Sequence, residues 1–569
     1  MTTAITALVG ALRDIGIDVV FGVPGTQSVP LFEEIRRAGI RTIVATDELA
    51  AAFMANGYFR ASGRIAALST ISGPGFTYAL TGIAEARHDS VGLLHLVSTP
   101  RPDNKHAFQL QAIDQRAIAG ALAKHYLLID GASDVTGAVH HAAELATTGG
   151  PGPVVMELDA RDLADRSASR GHTDAPARFD VQARDCERLS ARFAEARRPV
   201  LLLGAGATGA AQELSAIAQR LRIPIVTTPS ARGLLREDDE LAMGYDPLRG
   251  TTDQVNRLFA ESDLILGLGC KLTHNGSAGY RLRLSREQFV HVDADQGVLN
   301  ANYEADLAIR ARVEDVVPFL SGRSSTVSWQ ESQLRAFRDA IRSATPEPET
   351  RIHGPSGSMQ PAEFFSWLRA CLDDDAIVVT DSGLHQVLTR RHYEVHAPRG
   401  LIFPSDFQSM GFGLPAAIGA RVAAPGRNVI AIVGDGGFLM SGMELMTAQR
   451  EGLRMVVIVF NDGQLNQIRF QQLSEYGRSH AVRLVNPDYQ TLATSFGIPY
   501  VRFDANPLNR TKELLCDMQR PLFIEVAVGD SLDLRVRTGV ALTKSIGRAV
   551  IAPGLREWVK ARLGRGETP

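Results

Sequence analysis

The chain has little cysteine, little aromatic residue and almost no net charge. Four cysteines stand in 569 residues. They are Cys186, Cys270, Cys371 and Cys516, scattered and without metal-ligand spacing, so neither a disulfide scaffold nor a zinc site is indicated. Reduced thiols and a cytoplasmic location are expected. The net charge of -3 gives no electrostatic case for nucleic acid or an anionic membrane surface. No apolar run reaches the roughly 18 residues that span a bilayer. The N-terminus, MTTAITALVGALRDIGIDVV, lacks a basic start and an unbroken apolar core. Its Leu8, Leu12 and Ile15 predict an amphipathic helix rather than a signal peptide.

Hydrophobic content of 45% with 22% charge is that of an ordinary globular protein. Short β-rich runs at 18–22, 42–45, 65–70 and 93–97 alternate with helical stretches. That alternation predicts βαβ units and parallel sheets. Two polar, period-free stretches read as linkers: DRSASRGHTDAPARFD at 165–180 and ATPEPETRIHGPSGSM at 344–359. They predict three doubly wound α/β domains, 1–165, 181–343 and 359–530, with a basic tail at 531–569. The first and third domains each place a Gly-rich turn after a buried strand, as two versions of one sheet plan would.

PVLLLGAGATGAAQEL (199–214) carries Gly204, Gly206 and Gly209 at dinucleotide-fingerprint spacing. The confirming acid is missing: the next strand ends in Thr227 and Thr228. NAD(P) chemistry is therefore disfavoured, and a packing turn is the simpler reading. A flavin or adenine nucleotide in this domain stays open.

AIVGDGGFLM (431–440) raises a sharper question. Glycines after a strand present backbone N–H groups to an anion. Asp435 among them would repel a phosphate unless a divalent cation lay between. Mg²⁺ suits that role, since it binds few carboxylates together with substrate phosphates. A second oxygen donor follows in NDGQLNQI, where Asp462 lies 462 − 435 = 27 positions on. Parallel neighbouring strands would bring both to one sheet edge.

Gly434-Asp435-Gly436 followed at this spacing by Asn-Asp-Gly resembles the thiamine diphosphate motif of the acetohydroxyacid synthase, pyruvate oxidase and benzaldehyde lyase superfamily. The resemblance implies Mg²⁺ on Asp435, Asp462 and the Gln464 carbonyl. Asp462 departs from the usual Asn. A register shifted by one would instead use Asn461 and the Gly463 carbonyl. The diphosphate cradle would comprise Gly434, Gly436, Gly437 and Leu465, with Ser382, Gly383, Leu384 and His385 from TDSGLHQ. In SMGFGLPAAIGA, Met410 takes the place of the apolar wedge under the bent cofactor.

The family's catalytic acid falls on Glu48 in TIVATDELAAAFMANGYFRASG, and GYFRASG resembles its GYARATG. Thr46-Asp47-Glu48 stands where the family reads Arg-His-Glu. Read alone, Glu48 could equally be a helix-start acid with Thr46 or Asp47 as N-cap. FGVPGTQSVPLFE with Gly25, and SGPGFT with Pro74, resemble loops near substrate and pyrimidine. AFQLQAIDQ supplies an active-site Gln, with spacing favouring Gln111 over Gln109.

What the resemblance implies is a thiamine diphosphate enzyme whose smallest active unit is a dimer, as a homodimer or dimer of dimers, with sites shared between chains. It would decarboxylate a small 2-oxo acid, and the resulting enamine would be protonated or carboligated. A C–C lyase on a 2-hydroxy ketone and a catalytically silent regulatory homologue are the alternatives. FQQL, with Gln471 for the synthases' Trp, is similar to benzaldehyde lyase. Arg469 is a candidate for a substrate carboxylate, or a surface residue. His88, His125 and His480 are candidate proton carriers, more simply structural. FAD is disfavoured because Lys271 replaces the synthases' flavin-contacting Arg.

Overall fold

The computed structural model describes residues 3–99, 109–129, 134–159, 181–322, 327–343, 350–505, 508–516 and 520–529. The predicted linker at 165–180 and the tail at 531–569 lie outside them.

Three sheets organise the chain. The first holds β1 (Val19–Gly22), β2 (Arg41–Val44), β3 (Ala67–Ile71), β4 (Leu93–Thr99), β5 (His125–Ile129) and β6 (Pro153–Asp159). Their order is 2-1-3-4-6-5, all parallel. The second holds β7 (Pro199–Leu203), β8 (Ile225–Thr227), β9 (Leu264–Leu268), β10 (Phe289–Asp293) and β11 (Leu307–Arg310), parallel in the order 11-10-9-7-8. The third holds β12 (Arg351–Gly354), β13 (Gly357–Met359), β14 (Ile377–Thr380), β15 (Leu401–Ile402), β16 (Val429–Gly434), β17 (Val456–Asn461), β18 (Tyr500–Arg502) and β19 (Leu522–Gly529).

The parallel part of the third sheet, β14 to β19, runs 15-14-16-17-19-18. Counted from its own first strand, that is again 2-1-3-4-6-5. The first and third sheets are thus one plan used twice. The stretch 344–359, expected to be a linker, is different where it is described. Arg351–Gly354 and Gly357–Met359 form a hairpin, antiparallel to the end of β19. Ile352 supplies the reason, because its side chain is fully buried in the third domain's core.

The inner strands β14, β16 and β17 are buried apolar runs, as parallel strands covered on both faces must be. One core joins the first and third domains. At its centre helix Glu48–Ser62 crosses helix Gly413–Ala423. A Cβ on Gly57 would lie 1.9 Å from the Ala416 oxygen, and one on Gly419 would lie 1.8 Å from the Met54 oxygen. These paired contacts fix the helices antiparallel and allow backbone to touch backbone. The N-terminal helix is Ala4–Asp14, burying Leu8 and Leu12. Among the described residues, no helix is long and apolar enough to cross a membrane.

Candidate active site

The third sheet gathers one group of predicted residues at the carboxyl ends of its strands. Ser382, Gly383, Leu384 and His385 follow β14, and Met410 follows β15. Gly434 to Gly437 end β16 and open the next helix; Asp462, Gln464 and Leu465 follow β17. Ligands of open α/β sheets bind at this edge.

Asp435 is buried and densely held. Its Oδ1 accepts the Gly436 N–H at 2.8 Å. Its Oδ2 accepts the Gly463 N–H at 2.7 Å and the Asn486 amide at 2.8 Å. Burial raises its pKa, and these donors pull it back. The Asp462 carboxylate accepts from the Gln464 N–H at 3.1 Å and the Asn466 amide at 2.8 Å. Asn461 turns elsewhere: its amide donates to Glu525 at 2.7 Å, and its oxygen accepts from Asn486 at 2.8 Å. The loop is pinned from outside, where Leu465 donates to the Val482 carbonyl at 2.7 Å.

Each glycine of the cradle has a close neighbour. A Cβ on Gly434 would stand 2.7 Å from His385 Nδ1, and one on Gly437 would stand 2.6 Å from Asp381 Oδ2. On Gly436 it would meet Leu465 at 2.8 Å and the Met410 methyl at 3.4 Å. Gly383, at φ 145°, lies in the region that favours glycine. The His385 ring is buried with Nε2 unpartnered, and burial pushes its pKa down to about 3. Glycine turns at a sheet edge fit a diphosphate, as the oxygen-rich set at Asp435 and Asp462 fits a hard cation. Groups of three or more His, Cys, Asp or Glu placed for a metal do not occur among the described residues. The expected donor set is two carboxylates and a carbonyl, which is not such a group.

The first sheet gathers the second group, on loops after β1 to β4. Glu48 is the first residue of its helix, capped by Asp47, whose Oδ1 accepts the Ala50 N–H at 2.7 Å. A Cβ on Gly75 would stand 2.9 Å from Glu48 Oε1. Pro74 opens the adjoining helix. Gln111, at φ 60°, pairs its side chain with Gln27, and its carbonyl would lie 2.8 Å from a Gly73 Cβ. Gly25 sits on Ile71. Glu48, Gln111, Gly25 and Pro74 thus share one edge.

The two groups are apart within the chain. The Gly413 end of the crossing helix donates to Asp381 at 3.2 Å, beside the cradle. Glu48 lies beyond the Met54–Gly419 contact, at the opposite end of that antiparallel pair. Eleven residues of helix separate those ends by about 15 Å.

The other candidates lie at the surface or have local partners. His480 and His125 are surface residues. His88 Nδ1 donates to the Ala84 carbonyl, 2.9 Å away, and the ring lies against Phe407. Arg469 donates to Asn466 at 3.3 Å. The fingerprint glycines are packing residues. A Cβ on Gly204 would meet the Gly269 oxygen at 1.9 Å, and one on Gly209 would meet Glu314 Oε1 at 1.8 Å. A cavity of about 370 Å³ does open beside them, lined by Gly206, Lys271, Asp293, Arg60 and Asp89 among others.

Sequence reasoning missed Asp381, Asn486, Glu444 and Glu85. Asp381 accepts the Ser382 N–H at 2.7 Å as well as that of Gly413. Burial pushes its pKa up to about 7, against the pull of four backbone donors. The only hint in the sequence was its place before Ser382-Gly383 at a strand end.

A doubly wound pair of matching domains, with a glycine-rich acid turn on one and a glutamate at a helix start on the other, defines a cofactor-dependent α/β enzyme. The chain belongs to the thiamine pyrophosphate enzyme family. The family's N-terminal TPP-binding domain matches residues 2–118, its central domain 186–320 and its C-terminal TPP-binding domain 381–526. The chain is 31% identical to the acetolactate synthase large subunit of Lactococcus lactis subsp. lactis, over 91% of each chain. It is 30% identical to that of Parasynechococcus marenigrum, over 92% of this chain and 87% of the relative. The isozyme 1 large subunit of Escherichia coli is 28% identical, over 95% of this chain and 97% of the relative.

Proposed function

We propose that this enzyme decarboxylates a small 2-oxo acid and joins the remaining fragment to a second carbonyl compound, as its acetolactate synthase relatives are named for doing. The observation that carries this reading is the Asp435 turn, at the same sheet edge as Asp462 and His385. Thiamine diphosphate, when bound, supplies a nucleophilic carbon and an electron sink for loss of CO₂. Mg²⁺ would be held by Asp435, Asp462 and the Gln464 carbonyl. Gly434, Gly436, Gly437, Ser382, Gly383, Leu384, Leu465 and His385 would hold the diphosphate, with Met410 as the apolar rest. Glu48 would carry the proton exchanged with the aminopyrimidine, and Gln111 would face the substrate with Gly25 and Pro74.

We further infer that a second copy of the chain completes each site. Glu48 and Asp435 stand at opposite ends of one helix pair, so a single chain holds two half-sites. Exposed Leu439, Met440, Met443 and Met446 surround the Asp435 edge, while exposed Val29, Tyr78, Leu110 and Ile113 surround the Glu48 edge. Two apolar rims flanking two half-sites suit a homodimer. A cytoplasmic location fits the unpaired thiols Cys186, Cys270 and Cys371.

FAD does not fit as well. The Lys271 amine donates to the His88 carbonyl at 2.7 Å, and the glycine turn is filled by its neighbours. We assign no flavin step.

The test is product analysis from a panel of 2-oxo acids, with and without acceptor aldehydes or oxo acids. Thiamine-dependent CO₂ release with a C–C coupled product is expected. Cleavage of a 2-hydroxy ketone without any decarboxylation would favour the lyase reading. Glu48→Gln should bind cofactor and lose turnover; full activity in that variant sinks the proton assignment.

A further inference from the structure

Two buried glutamates cross between the first and third domains in matching ways. Glu444 opens the helix Glu444–Arg450, the second helix after β16, and is fully buried. Its Oε1 accepts the Thr46 N–H at 2.8 Å and the Thr46 hydroxyl at 2.5 Å. Thr46 lies on the loop after β2, two residues before Glu48. Glu85 lies on the helix after β3 and is also fully buried. Its Oε2 accepts the Ser409 N–H at 3.0 Å. Ser409 lies on the loop after β15, one residue before Met410.

In the shared sheet plan, β3 and β16 are the third strands, and β2 and β15 the second. Each domain therefore sends a carboxyl from the helices after its third strand to the loop after the other's second strand. Those loops lead into the two crossing helices. The symmetry makes accidental packing a poor account of either contact, because each buried carboxyl finds its partner in a loop backbone N–H of the other domain.

We propose that Glu444 and Glu85 are reciprocal positioning residues, Glu444 aiming Glu48 through Thr46 and Glu85 setting Met410 through Ser409. The assignment rests on the functional reading above for the roles of Glu48 and Met410. Glu48 has little else to aim it: Asp47 caps its helix, and Gly75 leaves room beside its carboxyl. Glu444 also follows the Asp435 helix closely in sequence, so the half-site that holds the metal fixes the acid that serves the other half-site.

Amide hydrogen exchange followed by mass spectrometry tests this on the full chain without added cofactor. Glu444→Ala should speed exchange about tenfold in residues 44–52 and leave 403–413 unchanged. Glu85→Ala should do the reverse. Glu444→Gln, which keeps an acceptor oxygen, should restore protection. Thr46→Val, at an exposed position, should give a smaller acceleration of about threefold in 44–52 and guards against a misfolded Glu444→Ala. With thiamine diphosphate and Mg²⁺ added, Glu444→Ala should lose about tenfold in turnover while the cofactor Kd moves by less than about threefold. Uniform acceleration in both segments, or protection unchanged in both, overturns the proposal. So does Glu444→Gln behaving like Glu444→Ala. If Glu48→Gln keeps full turnover, the functional reading fails, and the exchange pattern still decides whether the two carboxyls hold these loops.

Discussion

Asn486 donates its amide to Asp435 Oδ2 at 2.8 Å and to Asn461 Oδ1 at 2.8 Å, bridging the acid of one strand end to the amide of the next. It reaches the site from a segment 51 residues after Asp435. The bridge orients the carboxylate from behind, as outer partners of metal ligands do. Asn486→Ala should weaken Mg²⁺-dependent binding of thiamine diphosphate by about 10- to 100-fold, leaving the fold intact. Titration of cofactor by intrinsic fluorescence at several Mg²⁺ concentrations measures it. Unchanged affinity would show that Asp435 needs no such support.

Asp462 tests the departure from the family pattern. With Asp435 it would set two carboxylates on the metal, where the motif it resembles implies a carboxylate and an amide. Asp462→Asn should therefore keep cofactor binding and lower Mg²⁺ affinity modestly, by less than about tenfold. Asp435→Ala should abolish binding, because the remaining donors would not hold the Mg²⁺ that offsets the phosphate charge. The readout is metal-dependent activation and isothermal titration. If Asn461→Ala is as damaging as Asp435→Ala while Asp462→Ala is silent, the register is shifted by one.

Much of this was legible in the sequence, for stated physical reasons. The Asp435 turn stood out because glycines and one acid follow an apolar strand, and it lies at the carboxyl edge of the third sheet. Glu48 was readable only through the motif around it, since its local pattern is also that of a helix start. Glu444, Glu85 and Asn486 were not readable. Each acts across a long sequence separation, and each looks locally like a polar residue on a helix or loop. The hairpin at 351–359 was hidden by its Pro, Gly and Ser content, which describes its turn and not its pairing. At 204, 206 and 209 close packing imitates a nucleotide fingerprint, and the missing acid after the next strand is what separates the two.

The crossing of helices Glu48–Ser62 and Gly413–Ala423 holds the two half-site domains together, and it depends on absent side chains. Gly57→Ala would force a Cβ to within 1.9 Å of the Ala416 oxygen, which is backbone and cannot turn aside. Overpacking of this kind costs about 1–3 kcal/mol or more. Gly10→Ala is the matched control, since nothing lies within 4 Å of its Cβ position in helix Ala4–Asp14. That change should stabilise by about 0.5–1 kcal/mol through helix propensity. Urea unfolding of both variants should move in opposite directions. Equal shifts would mean that the crossing tolerates a methyl group and is not the constraint described.

Glu85 gives the pH dependence its sign. Burial first, then the nearby Asp89, raises its pKa to about 8, while the Ser409 N–H opposes the shift. Asp89 is itself engaged by Arg60 at 2.8 Å and by the Ser405 hydroxyl. An unfolded Glu titrates at about 4.3. Below that value both states hold the proton and the folded state has its full advantage. Between there and about pH 8 the unfolded chain releases a proton that the folded chain keeps, so stability falls as pH rises. Above the folded value both are ionised and the loss is complete. Glu85→Gln keeps an acceptor for Ser409 and removes the titration. The difference in unfolding free energy between wild type and Glu85→Gln should therefore shift steadily toward the variant from pH 5 to pH 8 and then level off. Parallel curves over that range would mean that Glu85 is ionised in the folded enzyme, and that the Ser409 loop is held by a charge rather than by a neutral acid.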